Sequence, residues 1–309
     1  DAPSLTGFLG TGSADSVGDG RAGSTSMANL TAINLGAPAI AISTAKSHTC
    51  VILANDGAVK CFGNGASGRL GDDADGGVWG STPASMASLV PVALHRPAIA
   101  IATSDGHTCV LLDDGGVKCF GFSNLGQLGC DCGYMDDKPS NVANASTVNL
   151  GASATAIAVA MGQSCALLVT GGVKCWGRTD FLGYDGTIID VGRGDSSRPM
   201  ADLPTINLGA PAIAITSSGS STASCHTCAL LDTGGVKCWG AGASGQLGFD
   251  PTTIGNGDEI AGNSAGEMAA LPEIDLSDGN GVRRNALAIS AGHEHTCVVV
   301  DTGELSCFG

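Results

Sequence analysis

The chain has 309 residues, with 14 Lys and Arg against 29 Asp and Glu, a net charge of −15 and a pI near 4.5. At 43 % hydrophobic residues it is too apolar for a disordered chain, and no apolar run approaches the roughly 18 residues of a membrane span. Its lysines stand mostly singly, which argues against a nucleic-acid or anionic-membrane partner, since both are held by clustered cations.

Taken in order, the chain opens with Gly7-Phe8-Leu9-Gly10, a turn of a kind that recurs later. The chain does not open on a signal peptide, and Asp1 reads either as a mature N-terminus after processing or as the start of a fragment. A short strand is expected at Ala32-Ile33-Asn34-Leu35-Gly36, and again at 148–151 and 206–209. An alternating apolar strand follows in each of five units, at 39–42, 98–102, 156–160, 212–215 and 286–289. Behind it comes a β-hairpin, at 50–63, 109–121, 165–177, 228–240 and 297–309. A turn then closes the unit at Gly68-Arg69-Leu70-Gly71, Gly126-Gln127-Leu128-Gly129 and Gly245-Gln246-Leu247-Gly248, and a variable polar loop follows. The two longest loops span 178–204 and 249–284; within the latter, 266–272 predicts one helical turn. Both are expected on one face, where binding usually resides.

Each hairpin carries two cysteines, and the register can be worked out. Cys109 and Cys119 oppose each other if the turn is Asp113-Asp114-Gly115. The same construction gives Val169-Thr170-Gly171, Asp232-Thr233-Gly234 and Asp301-Thr302-Gly303, with Gly third every time, where a left-handed residue is needed. The first hairpin has one more residue between its cysteines and one more in its turn, Ala54-Asn55-Asp56-Gly57. Directly opposed residues at a non-hydrogen-bonded site lie about 4.5 Å apart, within reach of a disulfide. Five intra-hairpin disulfides are therefore predicted: Cys50–Cys61, Cys109–Cys119, Cys165–Cys175, Cys228–Cys238 and Cys297–Cys307. Cys130, Cys132 and Cys225 remain unassigned; a local bridge, a bridge to Cys225 and a cross-link to another subunit are all open.

First cysteines recur at spacings of 59, 56, 63 and 69 residues. Four short strands in each unit of roughly 60 residues describe a propeller blade. The chain ends on Ser306-Cys307-Phe308-Gly309, which with the opening turn would make one whole unit. That leaves two readings: ring closure through the joined ends, or a fragment of a longer array.

The unit Gly292-His293-Glu294-His295-Thr296-Cys297 through Phe308-Gly309, together with residues 233–248, resembles the repeat of the regulator of chromosome condensation family. The resemblance covers essentially the whole chain. It implies an all-β fold, a β-propeller of five four-stranded repeats here and of seven blades if the chain is a fragment, forming a single domain over 1–309. Family functions include nucleotide exchange on a small GTPase with chromatin binding, light sensing through clustered tryptophans, and protein inhibition. The paired cysteines look like those of the extracellular members, where the module serves at surfaces or in adhesion.

Other signals read as structural. The GxGxxG runs at 63–68 and 240–245 lack the helix a dinucleotide needs, and recur because the repeat recurs. His48, His107, His226 and His295 precede Thr-Cys, with Gln163 in the third unit; the expected role is hydrogen bonding between blades rather than a metal ring. Arg193, Gly194 and Asp195 form a receptor-type tripeptide. Asp72, Asp73 and Asp75 are a weak calcium candidate without full EF-hand spacing, and Asn29 and Asn144 head glycosylation sequons. No cofactor and no enzymatic constellation are expected. The sequence thus predicts a secreted, extracellular or cell-surface, non-enzymatic propeller that is structural or adhesive. It would engage protein partners, self-assembly included. A soluble binder or inhibitor is the alternative, and a GTPase exchange factor the weaker one.

Overall fold

The computed structural model describes residues 29, 32–71, 77–80, 82, 86, 88–130, 142, 145–184, 200–219, 221, 224–254 and 257–309. Among them the chain folds as five antiparallel sheets in a β-propeller arrangement. The first holds β1 (Ala39–Thr44), β2 (His48–Leu53), β3 (Val59–Asn64) and the short β4 (Val78–Trp79). The second holds β5 (Ala98–Thr103), β6 (His107–Leu112) and β7 (Val117–Gly121); the third β8 (Ala154–Ala160), β9 (Gln163–Leu168) and β10 (Val173–Gly177). The fourth holds β11 (Ala212–Ser218), β12 (His226–Leu231), β13 (Val236–Ala241) and β14 (Ile260–Ala261). The fifth holds β15 (Ala286–Ala291), β16 (Thr296–Val300) and β17 (Leu305–Phe308), preceded by one helical turn, α1 (Glu267–Ala270).

The hairpin register follows from turn length. Leu112 N donates to Gly116 O across Asp113-Asp114-Gly115, and Cys109 stands opposite Cys119. In the first sheet Leu53 N donates to Ala58 O across four turn residues, and Cys50 stands opposite Cys61. All five opposed pairs are disulfides, with Cα atoms 4.0 to 4.1 Å apart. The turn glycines Gly57, Gly115, Gly171, Gly234 and Gly303 all take positive φ, between 66° and 82°, a region that a side chain at Cβ disfavours.

The strand expected ahead of each unit's first strand does not form. Residues 32–36, 148–151 and 206–209 belong to no ladder, and each ends in a glycine at positive φ, Gly36, Gly151 and Gly209. Val148 N donates to Val117 O and Ile206 N to Val173 O, so these two segments each make one backbone bond to the preceding sheet and then move on. Their role is to stitch neighbouring sheets. The same holds at the next step, where Ala98, Ala154, Ala212 and Ala286 donate to the turn carbonyls of Gly57, Gly115, Gly171 and Gly234.

First strands lie side by side around the axis: Ser43 Oγ and Thr103 Oγ1 are 2.9 Å apart, and Ala291 N donates to Thr216 Oγ1. The core sits between sheets. Phe120, Trp176 and Trp239, each following a hairpin cysteine, are fully buried. Trp176 rests on Gly129 of the preceding unit's turn, where an added Cβ would meet the indole at 2.7 Å; Phe120 rests likewise on Gly71. That contact explains why the turn ends in glycine. The third unit uses Phe181-Leu182-Gly183, whose glycine lies against Trp239.

The two ends of the arc differ from its middle. Val59, Val117, Val173 and Val236 are wholly buried, but their counterpart Leu305 is 66 % exposed. At the other end Ala39 is exposed, where Ala98, Ala154, Ala212 and Ala286 are buried. Among the described residues, then, the first and last sheets are covered less fully than the middle three, although Phe62 of the first is buried in a cluster with Met86 and Leu89.

Candidate protein-binding faces

The repeated polar residue before Thr-Cys or Ser-Cys bonds across each joint between sheets. His48 Nε2 lies 2.9 Å from Thr108 Oγ1, and His107 Nε2 2.7 Å from Ser164 Oγ. Gln163 Nε2 donates to Thr227 Oγ1 at 2.6 Å, and His226 Nε2 lies 2.9 Å from Thr296 Oγ1. The hydroxyls donate onward to the turn of the preceding unit: Thr108 to Arg69 O, Ser164 to Gln127 O and Thr296 to Gln246 O. A histidine can therefore be replaced by glutamine without losing the joint, as the third unit shows.

Burial sets the charge state of this seam. Removal from water disfavours the imidazolium, holding His48 and His226 down to about 4 and His107 to about 3. Nδ1 of His107 meets Ser104 Oγ at 2.9 Å, whereas Nδ1 of His48 and of His226 has no partner. These imidazoles are neutral hydrogen-bonding groups, spaced one per sheet. Among the described residues no three His, Cys, Asp or Glu converge as metal ligands.

The lysine before the second cysteine of the first four hairpins is also structural; the fifth has Ser306 there. Lys60 Nζ donates to Leu35 O and Lys174 Nζ to Leu150 O, and burial lowers Lys174 and Lys118 from the usual range. The GxGxxG run at 63–68 enters a single 3₁₀ turn, Ala66–Gly68, not a phosphate-binding helix.

Connections between units leave from the histidine end of the strands, at Asn64, Gly121, Gly177 and Ala241. The best defined is the segment 258–271. Here Oε2 of the buried Glu267 accepts from the backbone N–H groups of Gly262, Asn263 and Ser264, at 2.9 to 3.0 Å. Asp258 adds a bond from Asn263 Nδ2. Three backbone donors converging on one carboxylate fix the loop's shape. Sequence reading found the helical turn but missed this pin; the signal available was a single charged residue, Glu267, among the otherwise uncharged residues 260–271.

The remaining sequence candidates are dispersed. Arg193, Gly194 and Asp195, the acidic Asp72, Asp73 and Asp75, and Asn144 and Cys132 lie outside the described residues. Asn29 is exposed. Cys130 is disulfide-bonded. Cys225 is a free, fully buried thiol, raised by burial, with Sγ 3.4 Å from Ser221 O.

The profile of the Regulator of chromosome condensation (RCC1) repeat matches residues 98–127 and 224–246. Both stretches hold a seam histidine and its hairpin. A 100-residue region, 31 % of this chain, is 35 % identical to part of the E3 ubiquitin-protein ligase MYCBP2 of Danio rerio. A 209-residue region, 66 % of the chain, is 28 % identical to part of a bifunctional serine/threonine-protein kinase/NEDD4-like E3 ubiquitin-protein ligase of Dictyostelium discoideum. The matched regions span only 2 % and 10 % of those proteins. Among solved structures, human WBSCR16 superposes with a TM-score of 0.66 at 16 % identity, over 98 % of this chain and 72 % of that one. Prp20p of Saccharomyces cerevisiae superposes with a TM-score of 0.58 at 19 % identity, over 88 % and 56 %. Two stretches of the chain thus match the repeat of the regulator of chromosome condensation type, and the whole folds as a β-propeller with a disulfide in each described hairpin.

Proposed function

We propose that this chain is a secreted, non-enzymatic protein-binding propeller, a structural or adhesive module of an extracellular or cell-surface assembly. The observation that carries this reading is the stapling of all five sheets by their own cross-strand disulfides, bonds that persist in oxidising compartments. The joints between sheets repeat one geometry, whereas the connections at the histidine end differ in length and sequence; recognition is therefore assigned to those connections. Prp20p, a structural relative described as binding Gsp1p and histones, supports protein binding as the kind of work such a scaffold does.

A second reading, a soluble binder or inhibitor, is favoured by the Glu267-pinned segment, which would present a preformed shape to a protein ligand. Exchange on a small GTPase is the weaker third reading. The test is alkylation of the native protein from its source, without reductant, followed by peptide mass spectrometry. The ten hairpin cysteines are expected to stay unlabelled; their free labelling would remove the extracellular reading. Sedimentation of the same material separates the first two readings: large assemblies favour the structural role, and a monomer the soluble one.

A further inference from the structure

The end of the arc opposite those connections carries a surface of its own. Every first strand breaks register with its partner once, between Ala39 and Ala41, Ala98 and Ala100, Ala154 and Ala156, Ala212 and Ala214, and Ala286 and Ala288. The residue passed over is a β-bulge, and bulges re-aim a side chain out of the ladder. Four of the five are large aliphatics in the open: Ile40, Ile99, Ile213 and Leu287, between 57 % and 66 % exposed. In the third sheet the bulge residue is Thr155. Beside it stands Val169, 65 % exposed, placed there by the bond from its N–H to Ser153 O. Each sheet thus offers at least one exposed aliphatic at its hairpin-turn end. The flanking residues that do pack inward are alanines, so the core does not require these side chains.

The same end carries the hairpin turns, and these are acidic: Asp56, Asp113, Asp114, Asp232 and Asp301 are exposed. Arg96 reaches both Asp113 and Asp114, at 2.8 and 2.9 Å, leaving a net negative charge even there. An apolar row bordered by carboxylates is complementary to a segment with the opposite border. We infer that the hairpin-turn end binds a cationic, amphipathic segment of a protein partner. Its aliphatic side chains would lie on Ile40, Ile99, Val169, Ile213 and Leu287, and its Lys and Arg on the turn carboxylates.

The probe is a fluorescein-labelled 18-residue Leu/Lys amphipathic peptide, with a Leu/Glu peptide of the same pattern as control, titrated by anisotropy into the full chain at two salt concentrations. The test variant is I40T/I99T/I213T/L287T, four exposed changes for which Thr155 is the natural precedent, with folding checked by circular dichroism. Binding of the Leu/Lys peptide alone, weakened about tenfold or more in the variant, is the expected result. Undiminished binding by the variant would reduce the effect to bulk attraction by an acidic protein and overturn the proposal. Absent binding, or equal binding of the Leu/Glu peptide, overturns it as well. Concentration-dependent self-association that the variant abolishes and the peptide does not compete with would assign the face to a second copy instead.

Discussion

Acid should weaken this propeller well above the pH at which its carboxylates protonate. His48, His107 and His226 are held neutral by burial, at about 4, 3 and 4 against 6.5 in the unfolded chain. Between those values the unfolded chain binds more protons than the folded one, so folding loses ground as pH falls. The contribution is complete above pH 6.5, declines below it, and levels off near pH 4 for His48 and His226 and near pH 3 for His107. At 1.36 kcal/mol per pH unit, each histidine costs about 2 kcal/mol at pH 5, and the three together roughly 6 kcal/mol. That is a large share of the 5 to 15 kcal/mol typical of a folded domain. The perturbation is H48Q/H107Q/H226Q, since Gln163 already spans the equivalent joint with its Nε2 on Thr227 Oγ1. Urea unfolding at pH 7, 6 and 5, followed by fluorescence of the buried Trp176 and Trp239, reads the effect. The wild-type midpoint should fall steeply over this range and that of the triple variant only slightly. Wild-type unfolding independent of pH from 7 to 5, or a variant with the wild-type slope, would refute the idea that the seam histidines are stored neutral.

The five hairpin disulfides should open in an order set by exposure. Cys307 is exposed and Cys297 half-buried, while the other eight hairpin cysteines are at most 6 % exposed. Brief dithiothreitol treatment with alkylation and mass spectrometry should therefore label Cys297 and Cys307 first and leave the buried thiol of Cys225 unlabelled until the protein unfolds; simultaneous labelling of all five pairs would contradict this. Glu267→Gln should leave the sheets intact but loosen 258–271. It replaces a charged acceptor of three N–H groups with a neutral one at a cost of about 1–3 kcal/mol, read as faster hydrogen exchange at Gly262, Asn263 and Ser264.

The hairpins were legible in the sequence because a cross-strand pair obeys arithmetic: turn length and cysteine spacing change together between the first unit and the rest. The seam histidines were legible as a repeated position, yet their partners Thr108, Ser164 and Thr296 stand some 57 to 70 residues away and no local pattern names them. The extra strand at 148–151 was misread because extended, apolar residues look alike whether they make a ladder or a single stitch. The bulges were hidden for a related reason. Ala-Ile-Ala-Ile reads as even alternation, and only the pairing shows that the first Ile of each run is skipped. Glu267 escaped notice because three backbone donors meeting at one carboxylate is a property of loop shape.

Each of the five hairpin disulfides lies inside a single sheet, and among the described pairs none joins one sheet to the next. Pulled from its ends, the chain would come apart as a string of separate links. Each detaching unit would release the slack of roughly 50 residues between staples, on the order of 170 Å, while its hairpin stayed knotted. Such a molecule lengthens in steps under load and keeps five closed loops with which to refold when the load is removed.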